Sequence, residues 1–186
     1  MNMDSSSQLR MMVYASLFSA LTAVGAFLAI PIGPVPIVLQ NMFVYLAGLL
    51  MGSRWGLASV GVYLLAGACG LPVFAGGLGG IGRIVGPTGG YLIGYLPTVY
   101  IIGKISARTH QRAGTDVLAM ICGTIVLYAC GVTWLKIVTG MAPAKALAAG
   151  MFPFLIGDAL KIVAATAIAR ALRPVIGVPG YAIKGI

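Results

Sequence analysis

Long apolar runs, separated by short polar or Gly/Pro-rich breaks, make up almost all of this chain, and six of them suit a helix that crosses a bilayer. Such a helix needs about 20 mostly apolar residues. The first run covers 9–30. It ends at Pro31-Ile32-Gly33-Pro34-Val35-Pro36, where three prolines in six residues stop a helix. The second, 37–51, is short, and Gly52-Ser53-Arg54 separates it from the third, 55–70. A Gly-rich stretch, 71–90, precedes the fourth span at 91–106. A polar link, 107–115, leads to the fifth at 116–138. The segment 139–150 reads as a loop carrying one short surface helix, and the sixth span follows at 152–172. Pro174 and Pro179 mark a loose tail. No internal repeat or second domain is evident, so 1–186 is expected to be one six-helix transmembrane domain, all-α.

Composition supports the membrane as solvent. The chain is 60% hydrophobic and 8% charged, against roughly 25% charged residues in soluble domains. The net charge of +9 does not indicate nucleic acid, because the basic residues punctuate apolar runs instead of forming one stripe. Under the positive-inside rule the N-terminus goes in the cytoplasm. Arg10, Arg54, the Lys104/Arg108/Arg112 group and the Arg170/Arg173/Lys184 group then fall inside, and only Arg83, Lys136, Lys145 and Lys161 fall outside. Both termini are therefore expected to be cytoplasmic. The apolar run after Arg10 is too long for a signal peptide and lacks a convincing cleavage site, so it reads as a retained first span. Cys69, Cys122 and Cys130 are odd in number, which argues against a disulfide framework; they read as small buried apolar residues.

The chemistry-bearing residues gather toward the outer side. Asp158 and Lys161 are three apart, on one helix face, in the early turns of the sixth span. Ionisable residues at membrane depth need an interior partner or a water-filled cavity. They are either a mutual ion pair or a ligand-facing pair in which Asp158 accepts N–H donors and Lys161 supplies a point charge. Arg83 is either a solvated loop charge or a clamp for a ligand carboxylate. Of Gln40 and Asn41, one is expected to face inward, toward another helix or a ligand. Tyr91, Tyr128 and Trp134 suit an interfacial aromatic belt or an apolar wall against a ring. Gly77-Leu78-Gly79-Gly80-Ile81-Gly82 matches a dinucleotide fingerprint in spacing only, since the next acid is Asp116. These glycines instead allow a tight outer loop that brings backbone N–H groups, Gly77 included, toward a ligand. Ala15, Ser19 and Ala23 recur every four residues in the first span, as do Ser16 and Ala20. Small residues at this spacing permit close helix approach, within the bundle or with another membrane protein. His110 lies far from Asp158, and no nucleophile–base or metal-binding group assembles, so neither catalysis nor a metal or other cofactor is expected.

Four segments occur in order: Ile30-Pro31-Ile32-Gly33-Pro34-Val35-Pro36-Ile37-Val38-Leu39-Gln40, Gly70-Leu71-Pro72-Val73-Phe74-Ala75-Gly76-Gly77, Gly86-Pro87-Thr88-Gly89-Gly90-Tyr91-Leu92-Ile93-Gly94 and Pro153-Phe154-Leu155-Ile156-Gly157-Asp158-Ala159-Leu160-Lys161. Together they resemble BioY, the biotin-binding S component of energy-coupling factor (ECF) transporters. The resemblance runs from about residue 15 to 174. It implies an ECF S-component-like bundle in a bacterial inner membrane, capturing biotin with high affinity from the outside. It also implies a loop between the first two spans that covers the pocket. Docking onto a transmembrane coupling protein, driven by two ABC ATPases, would use the small residues Ala15, Ser19 and Ala23. Asp158 and Lys161 become the lead ligand contacts on matching positions, with Arg83 a weaker carry-over; Gln40, Tyr91 and Gly77 are added as candidates from the residues themselves. Ser19, where alanine would be usual, is a mild departure. The chain has no ATP-binding motif, so any ATP drive comes from elsewhere. The rival expectation is a stand-alone biotin facilitator.

Overall fold

A computed structural model describes residues 4–30, 34–109 and 111–176. The expectations for His110, Pro179 and Lys184, and part of the Pro-rich break, lie outside them. The first helix, α1 (Ser5–Phe27), leads into a two-residue hairpin, β1 (Ala29–Ile30) and β2 (Ile37–Val38), paired antiparallel as Ala29 with Val38 and Ile30 with Ile37. Then come α2 (Gln40–Ala68), α3 (Ile81–Val85), α4 (Gly89–Arg108), α5 (Ala113–Thr139), α6 (Pro143–Gly150), a 3₁₀ turn (Phe152–Phe154) and α7 (Leu155–Ile176). The α5 helix ends at Gly140, whose φ of 68° is left-handed, and α6 starts with Pro143 at its first position.

The helix α2 is not one straight rod. Gly52 has φ 74° and ψ −174°, a conformation reserved for glycine. Gln40 Nε2 donates to Tyr63 Oη at 2.8 Å. Along an unbroken helix these residues would lie about 35 Å apart, at roughly 1.5 Å per residue. The chain therefore reverses at Gly52, and 40–51 and 53–68 run antiparallel. These halves correspond to the second and third predicted spans. Gly103 of α4 presses against the reversal: a Cβ there would lie 2.3 Å from Ser53 N. The core centres on α2, α4 and α5, with α1 and α7 packed around them. Four stretches are long and apolar enough to cross a membrane by length and composition: Ser5–Phe27, Gln40–Ala68, Ala113–Thr139 and Pro143–Ile176.

The outward surface is apolar. Leu9, Val13, Leu17 and Val24 on α1, Ile121 and Ile125 on α5, and Ile156, Leu160 and Val163 on α7 are all exposed. Such a girdle is stable where lipid replaces water. On α7 the opposite face, Asp158, Lys161, Ile162, Ala165 and Ala169, is buried. This spacing is that of one helix face.

Ala15 and Ser19 are buried and Ala23 is half-buried, within the bundle, whereas Ser16 and Ala20 on the same helix are exposed. One expectation changes. Cys69 is exposed, while Cys122 and Cys130 are half-buried, and all three are free thiols. Arg173, expected in the cytoplasmic basic group, turns inward: Nη1 meets Asp116 Oδ2 at 2.6 Å and Gln111 O at 2.8 Å. Its Nη2 reaches Ser106 Oγ at 3.1 Å and Leu49 O at 3.4 Å. Ser106 Oγ in turn donates to Asp116 Oδ1 at 2.7 Å. The Asp116 side chain is wholly buried. Arg173 thus ties α7 to α5, α4 and the turn of α2 that loses its helix bonding at Gly52.

Candidate functional site

A cavity of about 380 Å³ opens at the end of the bundle opposite Arg173. Small-ligand sites begin at roughly this size. The hairpin region (Ala29, Val35, Val38), the glycine-rich loop (Phe74, Gly76, Leu78) and the starts of α2, α4 and α7 meet around it.

The loop is built, not slack. Phe74 is buried and meets Tyr63 edge-on, with ring centroids 5.6 Å apart. Gly67 makes room for it, since a Cβ there would fall 2.1 Å from Phe74 Cζ. Gly80 N donates to Gly67 O at 2.7 Å, and Gly76 N to Ala26 O at 3.4 Å, so the loop is tied to both α2 and α1.

At the inner wall, Asp158 is the convergence point. Its Oδ1 accepts from Lys161 Nζ at 2.9 Å and from Asn41 Nδ2 at 2.7 Å, and its Oδ2 accepts from Tyr128 Oη. A carboxylate offers about four acceptor positions, so one is left unused by these three donors. Lys161 is ion-paired with Asp158, and both residues line the cavity. Asn41 Nδ2 also approaches Tyr45 Oη at 3.4 Å, and Tyr45 shares a 2.8 Å hydrogen bond with Thr124. Asn41 Oδ1 is buried with no hydrogen-bond partner among the described residues.

Gln40 and Tyr91 also line the cavity. Tyr91 Oη donates to Gly150 O at 2.6 Å, which pins α4 to the end of α6. Arg83, on α3, is exposed and borders the cavity at its outer side. Gly77 is not among the lining residues; at φ 71° it faces Phe27 of α1, while its neighbours Ala75, Gly76 and Leu78 line the wall. Trp134 packs instead on the start of α4, where Nε1 donates to Gly86 O at 3.0 Å and a Cβ at Gly90 would meet its own Cβ at 2.2 Å. Sequence reasoning expected only one of Gln40 and Asn41 to face inward, and both do. It did not single out Tyr45 or Tyr95, both buried. Their one signal was a tyrosine inside an otherwise apolar run, where a hydroxyl needs a partner or a cavity.

The arrangement is that of a helical membrane protein with a ligand-sized cavity: the Asp158–Lys161 pair at its inner wall, tyrosine and phenylalanine side chains along it and the Arg83 guanidinium at its outer border. The BioY family profile matches residues 1–178, and the chain belongs to the BioY family, a family of transport proteins. It is 39% identical over 165 residues to "Biotin transporter BioY" of Thermotoga maritima, covering 89% of this chain and 96% of that one. It is 42% identical over 158 residues to "Probable biotin transporter BioY" of Pyrococcus horikoshii, covering 85% and 93%. The fold superposes with a TM-score of 0.87 and 33% identity on the S-component for biotin from an ECF-type ABC transporter, covering 93% of this chain and 95% of that one.

Proposed function

We propose that this chain is the biotin-binding S component of an ECF-type importer, a multi-pass protein of the cell membrane that captures biotin from the outer side. The single observation that carries the reading is the buried Asp158–Lys161–Asn41–Tyr128 cluster, facing a cavity of ligand size. Its polar groups suit the ureido ring. Phe74, Leu78, Leu92 and Leu127 suit the sulfur ring and the aliphatic chain. Lys161 is neutralised by Asp158, which leaves Arg83 to meet the carboxylate.

The reversal at Gly52 supports six spans, with α2 counting twice, and loop charge supports both termini in the cytoplasm. The Arg173 node then ties α7, α5 and α4 together at the cytoplasmic end, which favours a capture subunit over a channel. Transport would need a transmembrane coupling protein and two ABC ATPases. A partner packing closely on α1 would meet Ser16 and Ala20, not the buried Ala15 and Ser19.

Two measurements test the proposal. Mass spectrometry of the purified subunit should find co-purifying biotin, and calorimetry in detergent should show stoichiometric biotin binding. A folded subunit that does not bind biotin would sink the reading. In vesicles, labelled biotin uptake should depend on the coupling components; robust uptake by the chain alone would establish the facilitator instead.

A further inference from the structure

Lys136 and Lys145 carry positive charge at the end of the bundle that holds the cavity. Both are exposed, neither lines that cavity, and neither makes an ion pair among the described residues. The chain has no acid to offer them. Its acidic side chains are Asp4, Asp116 and Asp158. Asp158 is taken by Lys161 and Asp116 by Arg173, and Asp4 precedes α1 at the opposite end. Close to Lys136, a second cavity of about 480 Å³ opens between α5 and α7. Ile121, Ile125 and Val132 of α5 line one side of it, Leu155 and Ile162 of α7 the other, and α6 contributes Leu147. Ala129 and Ala159, one in each wall, are exposed and too small to close it. Its mouth lies on the lipid-facing girdle, since Ile121, Ile125 and Leu155 are themselves exposed.

Between Ile121 and Thr133 the groove follows α5 for about 18 Å, at roughly 1.5 Å per residue. One leaflet of a hydrocarbon core about 30 Å thick is of similar depth. Left empty, the groove would forfeit dispersion contacts along its lining, and its apolar walls offer water few partners. Tyr128 and Asp158 line both cavities, so the groove backs onto the polar cluster. A hydrocarbon chain fills such a space and keeps water away from that side of the buried carboxylate. Lys136 follows Val132 by four residues, on the same face of α5 and one turn nearer the surface. An ammonium there, with no carboxylate of its own, complements a lipid phosphate. We infer that the α5–α7 groove is a binding site for one acyl chain of an anionic phospholipid, whose phosphate meets Lys136 with Lys145 at the same end. The site depends on the membrane setting and not on the identity of the solute.

Native mass spectrometry of the full subunit, titrated with phosphatidylglycerol or phosphatidylcholine of the same acyl chains, tests the site. Phosphatidylglycerol should bind more tightly, by about fivefold or more, and added salt should narrow the gap. Lys136→Ala should weaken phosphatidylglycerol about fivefold and phosphatidylcholine by less than about twofold. Equal binding of both lipids, unmoved by Lys136→Ala, would overturn the phosphate contact. Ala129→Phe with Ala159→Phe fills the groove from exposed positions and should weaken both lipids by at least about tenfold. Unchanged lipid binding in that variant, with its fold checked by thermal melting, would overturn the groove. Glycerophosphoglycerol, the same head without tails, should not compete; effective competition would reduce the site to a surface anion contact and overturn it. If the filled variant does not fold, the wild-type protein still decides. Phosphatidylglycerol with a photoreactive group near the end of one tail should label peptides around Ile121 and Ile162, and labelling confined to other helices would overturn the site. Wild-type protein that holds this lipid but no biotin would remove the functional reading above and leave the lipid site standing.

Discussion

Replacing Asp158 with alanine probes the cluster most directly. The carboxylate is 4% exposed and receives Asn41, Lys161 and Tyr128. Its loss has two separable effects. A hydrogen bond from a ligand to a charged acceptor contributes about 1.5–3 kcal/mol, so affinity for biotin should fall by roughly 10- to 150-fold from that bond alone. Lys161, 7% exposed, is left without its counter-charge. Breaking a buried pair by removing one partner costs about 3–5 kcal/mol of stability. The double substitution Asp158→Ala with Lys161→Met removes the stranded charge. It should recover most of the lost thermal stability and none of the affinity. Calorimetric biotin titration, with thermal unfolding in detergent and size-exclusion profiles of the same preparations, separates the effects. A folded Asp158→Ala protein that binds biotin within threefold of wild type would refute the argument.

Arg83→Ala should weaken biotin by about tenfold while leaving biotin amide almost unchanged, since the amide has no carboxylate to lose. Because Arg83 is exposed, added salt should shrink the difference between the ligands, and equal effects on both would refute the assignment. At the other end, Asp116→Ala should lower thermal stability by an amount near 3–5 kcal/mol, because Arg173 loses its buried partner. The biotin affinity of the folded fraction should be untouched. Gly103→Ala should destabilise by about 1–3 kcal/mol, since its Cβ would meet backbone that cannot yield. Gly61→Ala, with open space around it, should instead stabilise by about 0.5–1 kcal/mol. Thermal melts of the two variants, compared side by side, check both.

Local information was sufficient for the long helices and for part of the candidate site, but not for the β1–β2 hairpin or α3. Apolar run length marked the helices, Gly52 and the Pro-rich segment marked the reversals, and the spacing of Asp158 and Lys161 placed both on one face of α7. These follow from backbone geometry and from the cost of charge in lipid, which act on neighbouring residues. The buried face of α1 was not legible in the same way. In a membrane, lipid-facing and protein-facing positions are both apolar, so the pattern that tells inside from outside in water is weak. Only packing showed that Ala15 and Ser19 face inward while Ser16 and Ala20 face out. Partnerships across the fold were equally hidden. Asn41 reaches Asp158 from 117 residues away, and Arg173, read only as one of the cytoplasmic basic residues, joins Asp116, Ser106 and Leu49. The sequence determined which segments are helices and which residues are costly to bury. Tertiary structure decided which of those residues satisfy one another and which stay free for a ligand, because hydrogen-bond satisfaction depends on distances that only the packed chain sets.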